Sequence, residues 1–260
     1  LFALVAACAA PATERAESLV RQNRTDEAVA SLRGRLDAHP EDLAARRLLV
    51  RVLGFAGDVA SAREQASELA KRLPPGDPDA LIELGHALEL SHRYDEALEA
   101  YDEAASSAPA SPAGPREGGI RCAHWGELAE AVARLEEAVR RGARDVETLH
   151  ALGLVRLHLG DFDGAYEAYR EAIVADRSRV EGWLGLASVA VARGDAAAAL
   201  QAYDAILVLH PRFAAGQLGR AWALARLGRT AEARKALDVA EQLGAPQTNV
   251  QRQRAALEAR

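Results

Sequence analysis

The sequence predicts an all-α fold in which antiparallel helical hairpins stack one on the next. Three observations predict it. The side-chain vocabulary is that of helices: Ala, Leu and Arg recur throughout, 49% of residues are hydrophobic, 27% are charged and only 5% are aromatic. Small and large residues return with a period of about 34 residues, the signature of a repeat architecture. Gly-Asp pairs and prolines punctuate the apolar stretches at regular places. At 260 residues the chain can bury a sizeable core.

Taken in order, the chain opens on the apolar run Leu1-Phe2-Ala3-Leu4-Val5-Ala6-Ala7-Cys8. That run is shorter than the roughly 20 residues that span a bilayer. The chain contains no Met, so its initiator is expected to lie outside it, and residues 1–8 read as the end of a truncated secretory segment. Hairpins are expected from 9 to 247, with repeats starting at 9, 43, 78, 112, 146, 180 and 214. The clearest unit holds Leu81, Leu84, Gly85 and Leu88 on its first helix, Ala97, Tyr101 and Ala104 on its second, and Pro109 at its end. Leu149, Leu152, Gly153, Ala165, Tyr169 and Ala172 repeat the pattern, as do Trp183, Leu186, Ala187, Ala199, Tyr203 and Pro211. Weaker copies hold Leu19, Ala28, Leu32 and Pro40; Leu49, Gly57, Ala62 and Pro74; Gly119, Ala131 and Ala138; and Ala221, Ala233 and Ala240.

Each spacing has a mechanical cause. Helices approach closely where a side chain is small, so Gly85 and Gly153 are expected to face Ala97 and Ala165, while Leu84, Tyr101, Leu152, Tyr169, Trp183 and Tyr203 fill the wedge between hairpins. Gly57-Asp58, Gly160-Asp161 and Gly194-Asp195 end a first helix and cap the next. Prolines 40, 74, 109 and 211 end second helices. In repeat four, Pro109, Pro112, Gly114, Pro115, Gly118 and Gly119 predict a weak first helix starting at Pro115 and a flexible joint. Residues 248–260 are expected to form a polar capping helix opened by a Thr248-x-x-Gln251 capping box.

The spacing Leu-x2-Leu-Gly-x2-Leu, Ala-x3-Tyr and Pro resembles the tetratricopeptide repeat. The resemblance covers nearly the whole chain and implies a right-handed α-solenoid of about seven hairpins plus a C-terminal capping helix. It also implies a concave surface, lined by first helices, that binds a protein or peptide partner. Two zones are expected there. The early zone is charged: Glu17, Arg47, Arg51, Asp79, His86, Glu89 and Arg116. The later zone is apolar: Leu154, Leu157, Leu184, Val191, Leu218 and Trp222, with His150 and Ser188 as polar points. A groove of that kind suits an amphipathic helix or an extended apolar segment. The Lys/Asn set with which some relatives clamp a terminal carboxylate is absent.

Val5-Ala6-Ala7-Cys8 resembles a bacterial lipobox, which implies a lipid on Cys8 and, with Ala9 and Ala10 following, anchoring at the outer membrane facing the periplasm. The implied function is a non-catalytic interaction scaffold or assembly adaptor of the cell envelope, similar in plan to the lipoproteins that pilot secretin assembly for type IV pili. A soluble regulatory scaffold without a lipid is the alternative. The net charge of −6, with Arg interleaved among acidic residues, supplies no basic stripe for nucleic acid. The seven histidines form no metal-ligand motif, and His124 and His158 make only a pair one repeat apart. No Gly-rich phosphate loop or CxxC occurs, so neither cofactor nor catalysis is expected.

Overall fold

A computed structural model of the chain describes residues 12–259. Cys8 and the rest of the expected leader lie outside the described residues. Within them are fifteen α-helices and no strand. The chain divides into two compact units between Gly118 and Gly119.

The first unit holds three hairpins: α1 (Ala12–Arg21) with α2 (Thr25–Ala38), α3 (Leu43–Phe55) with α4 (Val59–Ala70), and α5 (Asp79–Leu90) with α6 (Tyr94–Ser107). It ends in the first turns of α7 (Ala113–Trp125). The second continues α7 and adds α8 (Leu128–Arg140), α9 (Val146–His158), α10 (Phe162–Ala175), α11 (Val180–Arg193), α12 (Ala196–Leu209), α13 (Ala214–Arg226), α14 (Thr230–Gln242) and α15 (Gln247–Glu258).

The helices are short because the chain turns on schedule. Gly57 adopts φ +78°, a left-handed conformation that costs glycine nothing, and Asp58 accepts the Ser61 N–H at 3.1 Å to start α4. Gly160 and Asp161 do the same before α10. At the matching turn before α6 the left-handed residue is His92, φ 58°, and Arg93 supplies no side-chain cap. That turn carries strain the glycine turns avoid.

One residue anchors every hairpin. Ala28, Ala62, Ala97, Ala131, Ala165, Ala199 and Ala233 are all fully buried on the second helices, including those of the weak repeats. The glycines of the first helices do not face them, however. Gly85 sits against the ring of Tyr101, and a Cβ on Gly153 would lie 2.7 Å from Cε1 of Tyr169. The expected small-on-small contact is therefore glycine against tyrosine, because the aromatic ring of the second helix needs the space a Cβ would fill.

Two helix starts differ from expectation. α7 begins at Ala113, whose N–H donates to Ser111 Oγ at 3.2 Å, so Pro115 sits within its first turn rather than at its start. A missing N–H is as harmless there. A Cβ on Gly114 would press on Ala105, so this glycine serves close packing. α15 starts at Gln247 after Pro246, and no side chain caps it. Pro246, with φ −56°, launches the helix early and leaves Thr248 inside the first turn, where the expected capping box does not form. Val250 and Leu257 of α15 bury into the terminal core beside Leu224 and Leu237.

Candidate functional site

The early charged zone comes together as a ladder. Arg47 and Arg51 lie four apart on α3, Asp79 and Glu83 four apart on α5, so each pair shares one helix face. Arg47 Nη2 donates to Asp79 Oδ2 at 2.6 Å. Arg51 grips Glu83 with two hydrogen bonds, Nη2 to Oε1 at 2.6 Å and Nε to Oε2. His86, one turn further along α5, places Nδ1 3.9 Å from Glu83 Oε2 and Nε2 3.3 Å from Glu117 Oε2. Arg116 pairs with the other oxygen of Glu117. The His86 ring meets the Tyr101 ring edge-on at 5.8 Å.

Burial decides what the ladder does. Glu83 is buried, and burial alone would raise its pKa, but hydrogen bonds from His86 and Arg51 outweigh it and hold the carboxyl below its usual range. Burial pulls His86 down, yet its bonds to Glu117 and Glu83 win and its pKa is raised. The residues expected to greet a partner here, Arg47, Arg51, His86 and Arg116, are thus spent on carboxylates of the same unit. Sequence reasoning missed Glu83 and Glu117 as their partners. The signal was present: Arg51 to Glu83 and His86 to Glu117 are opposite charges almost one repeat apart.

In the second unit the same helix positions are apolar or empty. At steps of about 34 residues from Glu83 and Glu117 stand Ala151, Gly185 and Gly219. Gly185 lies against the ring of Tyr169 and Gly219 against that of Tyr203. Tyr169 is fully buried, and burial pushes its pKa up to about 12. His150 stands 5.8 Å from the Tyr169 ring, where burial lowers its pKa against the pull of Glu181.

The expected apolar wall is sorted by this packing. Leu154 and Val191 are exposed, Leu184 and Trp222 half-buried. Ser188 donates to the Leu184 carbonyl at 2.9 Å. Two members turn inward. Leu157 packs with Phe162 and Leu186 on the cluster around Tyr169, and Leu218 is buried in the terminal core. Leu218 is covered because α15 runs beside α13, with Gln253 Nε2 donating to its carbonyl at 3.2 Å. The wall is therefore broken into an exposed pair and a recess. That recess, about 420 Å³, is lined by Val191, Tyr203, the edge of Leu218, Trp222, Arg252 and Gln253. Over Trp222 lies the Arg226 guanidinium, 5.5 Å from the ring centroid.

A further recess of about 480 Å³, not foreseen, is lined by Tyr166, Trp183, Leu186, Arg193 and Gln201 of α10 to α12. Among the described residues no cluster of three or more His, Cys, Asp or Glu side chains could hold a metal, and no helix is long and apolar enough to cross a membrane.

The family model described as Tetratricopeptide repeat matches residues 13–53, 47–115, 126–179 and 184–248. Solved structures share the fold. YrrB, a TPR protein with an unusual peptide-binding site, is 18% identical, covering 74% of this chain and 99% of its own, with TM-score 0.64. The C-terminal part of a TPR repeat-containing protein from Cytophaga hutchinsonii is 13% identical over 92% and 98%, with TM-score 0.68. PilW, a type IV pilus biogenesis factor, is 18% identical over 77% and 92%, with TM-score 0.55. No curated protein matches the chain.

Proposed function

The chain belongs to the tetratricopeptide repeat family, and from that premise we propose that it is a protein-interaction scaffold whose second unit holds a peptide or helix against its first helices. The observation that carries the proposal is the contrast along the first-helix face. Arg47, Arg51, His86 and Arg116 of the early zone are paired with carboxylates of their own unit, whereas Leu154, Val191 and Trp222 of the later zone keep apolar surface in water. Covering such surface contributes about 25 cal/mol per Å².

The finer form is an assembly adaptor of the cell envelope, held to the outer membrane by a lipid on Cys8. Its support is the lipobox-like run Val5-Ala6-Ala7-Cys8. Its narrowest form, a factor for type IV pilus secretin assembly, adds the fold shared with PilW, which at 18% identity supports the fold alone. Two measurements test the reading. The double variant Trp222→Ala, Leu154→Ala is expected to lose a partner captured by the intact protein while helical circular dichroism is kept; undiminished capture moves the site elsewhere. Mass spectrometry of the protein from native membranes is expected to show a diacylated Cys8, and an unmodified Cys8 removes the envelope-anchored form in favour of a scaffold without a lipid.

A further inference from the structure

We propose that the recess between α11, α13 and α15 takes an apolar side chain from an acidic segment, so that the partner is a peptide carrying a large apolar residue flanked by carboxylates. The inference rests on the groove reading above and names the chemistry of its occupant. Apolar atoms come from three successive elements: Val191 of α11, Tyr203 of α12 and Trp222 of α13. Gly219 also lines the recess, and its lack of a Cβ leaves room for the Tyr203 ring that forms part of the wall. At about 420 Å³ the recess is the size of a small ligand pocket, roomy enough for one large side chain.

Charge selects the flanks. No carboxylate lines the recess, although the chain as a whole carries net charge −6. One arginine, Arg252, stands in the recess wall, and a second, Arg226, lies over the ring of the wall residue Trp222. The neighbouring arginines are already committed, Arg220 to Asp204 at 2.7 Å and Arg254 to Asp238 and Glu241 at 2.7 and 2.9 Å. Arg226 and Arg252 make no ion pair among the described residues, so their guanidinium groups keep their donors for an incoming carboxylate. An amphipathic basic segment, by contrast, would bring like charge to both. Gln253, held on the Leu218 carbonyl, fixes α15 and with it the position of Arg252 one residue earlier.

The test titrates the full chain with short fluorescein-labelled peptides and reads anisotropy. One carries a Phe-Leu pair flanked by Asp with an amidated end, the second replaces each Asp by Asn, and the third has the Asn flanks with a free terminal carboxylate. The amidated acidic peptide is expected to bind, and Arg252→Glu with Arg226→Glu to weaken it about tenfold or more, with the salt dependence reduced. Trp222→Ala is expected to weaken every peptide that binds. Equal affinity for the Asp and Asn peptides, still lost in Trp222→Ala, leaves the groove reading standing and overturns the acidic preference. Preference for the free terminal carboxylate over the Asp flanks also overturns it. Affinity unmoved by Trp222→Ala, or binding of no peptide, overturns the inference, and the former removes the groove with it. Circular dichroism of each variant separates lost binding from lost folding.

Discussion

The two units are built from the same hairpin and use its first-helix face in opposite ways. In the first, Arg51, Glu83, His86 and Glu117 bridge one first helix to the next by charge. In the second, Ala151, Gly185 and Gly219 stand where the glutamates would be, and the rings of Tyr169 and Tyr203 take the space beside the two glycines. A solenoid is held by interfaces between neighbouring repeats, so either device suffices structurally. The consequence for function differs. A ladder of mutually paired charges built on one buried carboxylate, Glu83, leaves few free charges for a partner, while Leu154 and Val191 of the second unit leave apolar area exposed. Charge on a face read from sequence can therefore be engaged within the fold, as Arg51 and His86 are by Glu83 and Glu117.

The comparison breaks most visibly at the second unit's rings. Tyr169→Ala is expected to cost about 3–5 kcal/mol, since its fully buried ring fills the space between Gly153 and Gly185. Urea unfolding followed by circular dichroism reads it, and a loss within about 1 kcal/mol would deny the ring its role. In the first unit Glu83→Gln is expected to cost somewhat less, about 2–3 kcal/mol, because it leaves Arg51 and His86 short of a buried carboxylate. Hydrogen exchange should place that loss in α3 and α5, and a loss spread evenly over the chain would show that the ladder is not a local tie.

A smaller effect sharpens the contrast through pH. His86 binds its proton more tightly when folded, so its stabilisation is complete below the ordinary value of 6.5 and drains away as pH rises through its raised pKa. His150 is the reverse: its contribution is complete above 6.5 and is lost as pH falls through its lowered pKa. The two units are expected to respond with opposite sign on either side of that value. His86→Gln should flatten the first response and His150→Gln the second, read as exchange protection corrected for intrinsic rates. Responses of the same sign would contradict the assignment. The smallest expected effect is a gain: His92→Gly should stabilise the first unit by about 1 kcal/mol by relieving its left-handed backbone, and a loss in thermal unfolding would show that the ring's contact with Tyr94 matters more.

Much of the fold was legible because the decisive residues act locally. A glycine followed by Asp turns the chain wherever it stands, and a buried Ala every repeat is visible without knowing its neighbours. What escaped was direction. Gly85 was paired with the nearest small residue, Ala97, when its true neighbour is the Tyr101 ring one turn further on, reached because a long side chain leans toward its helix N-terminus. The site was legible as positions but not as states. Arg47, Arg51 and His86 reach carboxylates on the next repeat, Asp79, Glu83 and Glu117, outside any window read along one helix, whereas Arg116 pairs with its own neighbour Glu117. Leu218 was expected on the surface and is buried because α15, itself foreseen, lies beside α13. Trp222 and Val191 stay at the surface of the recess that α15 helps to close.

As proposed, the second unit carries the binding face and the first unit's ladder is structural. The most direct measurement is the affinity of one partner peptide for two variants of equal net charge change, zero in each case. The ladder variant is Arg47→Gln with Asp79→Asn, and the face variant is Trp222→Ala with Leu154→Ala. Wild-type affinity is expected for the first and a loss of at least about tenfold, roughly 1.4 kcal/mol, for the second. Lost affinity in the ladder variant with binding intact in the face variant would contradict it.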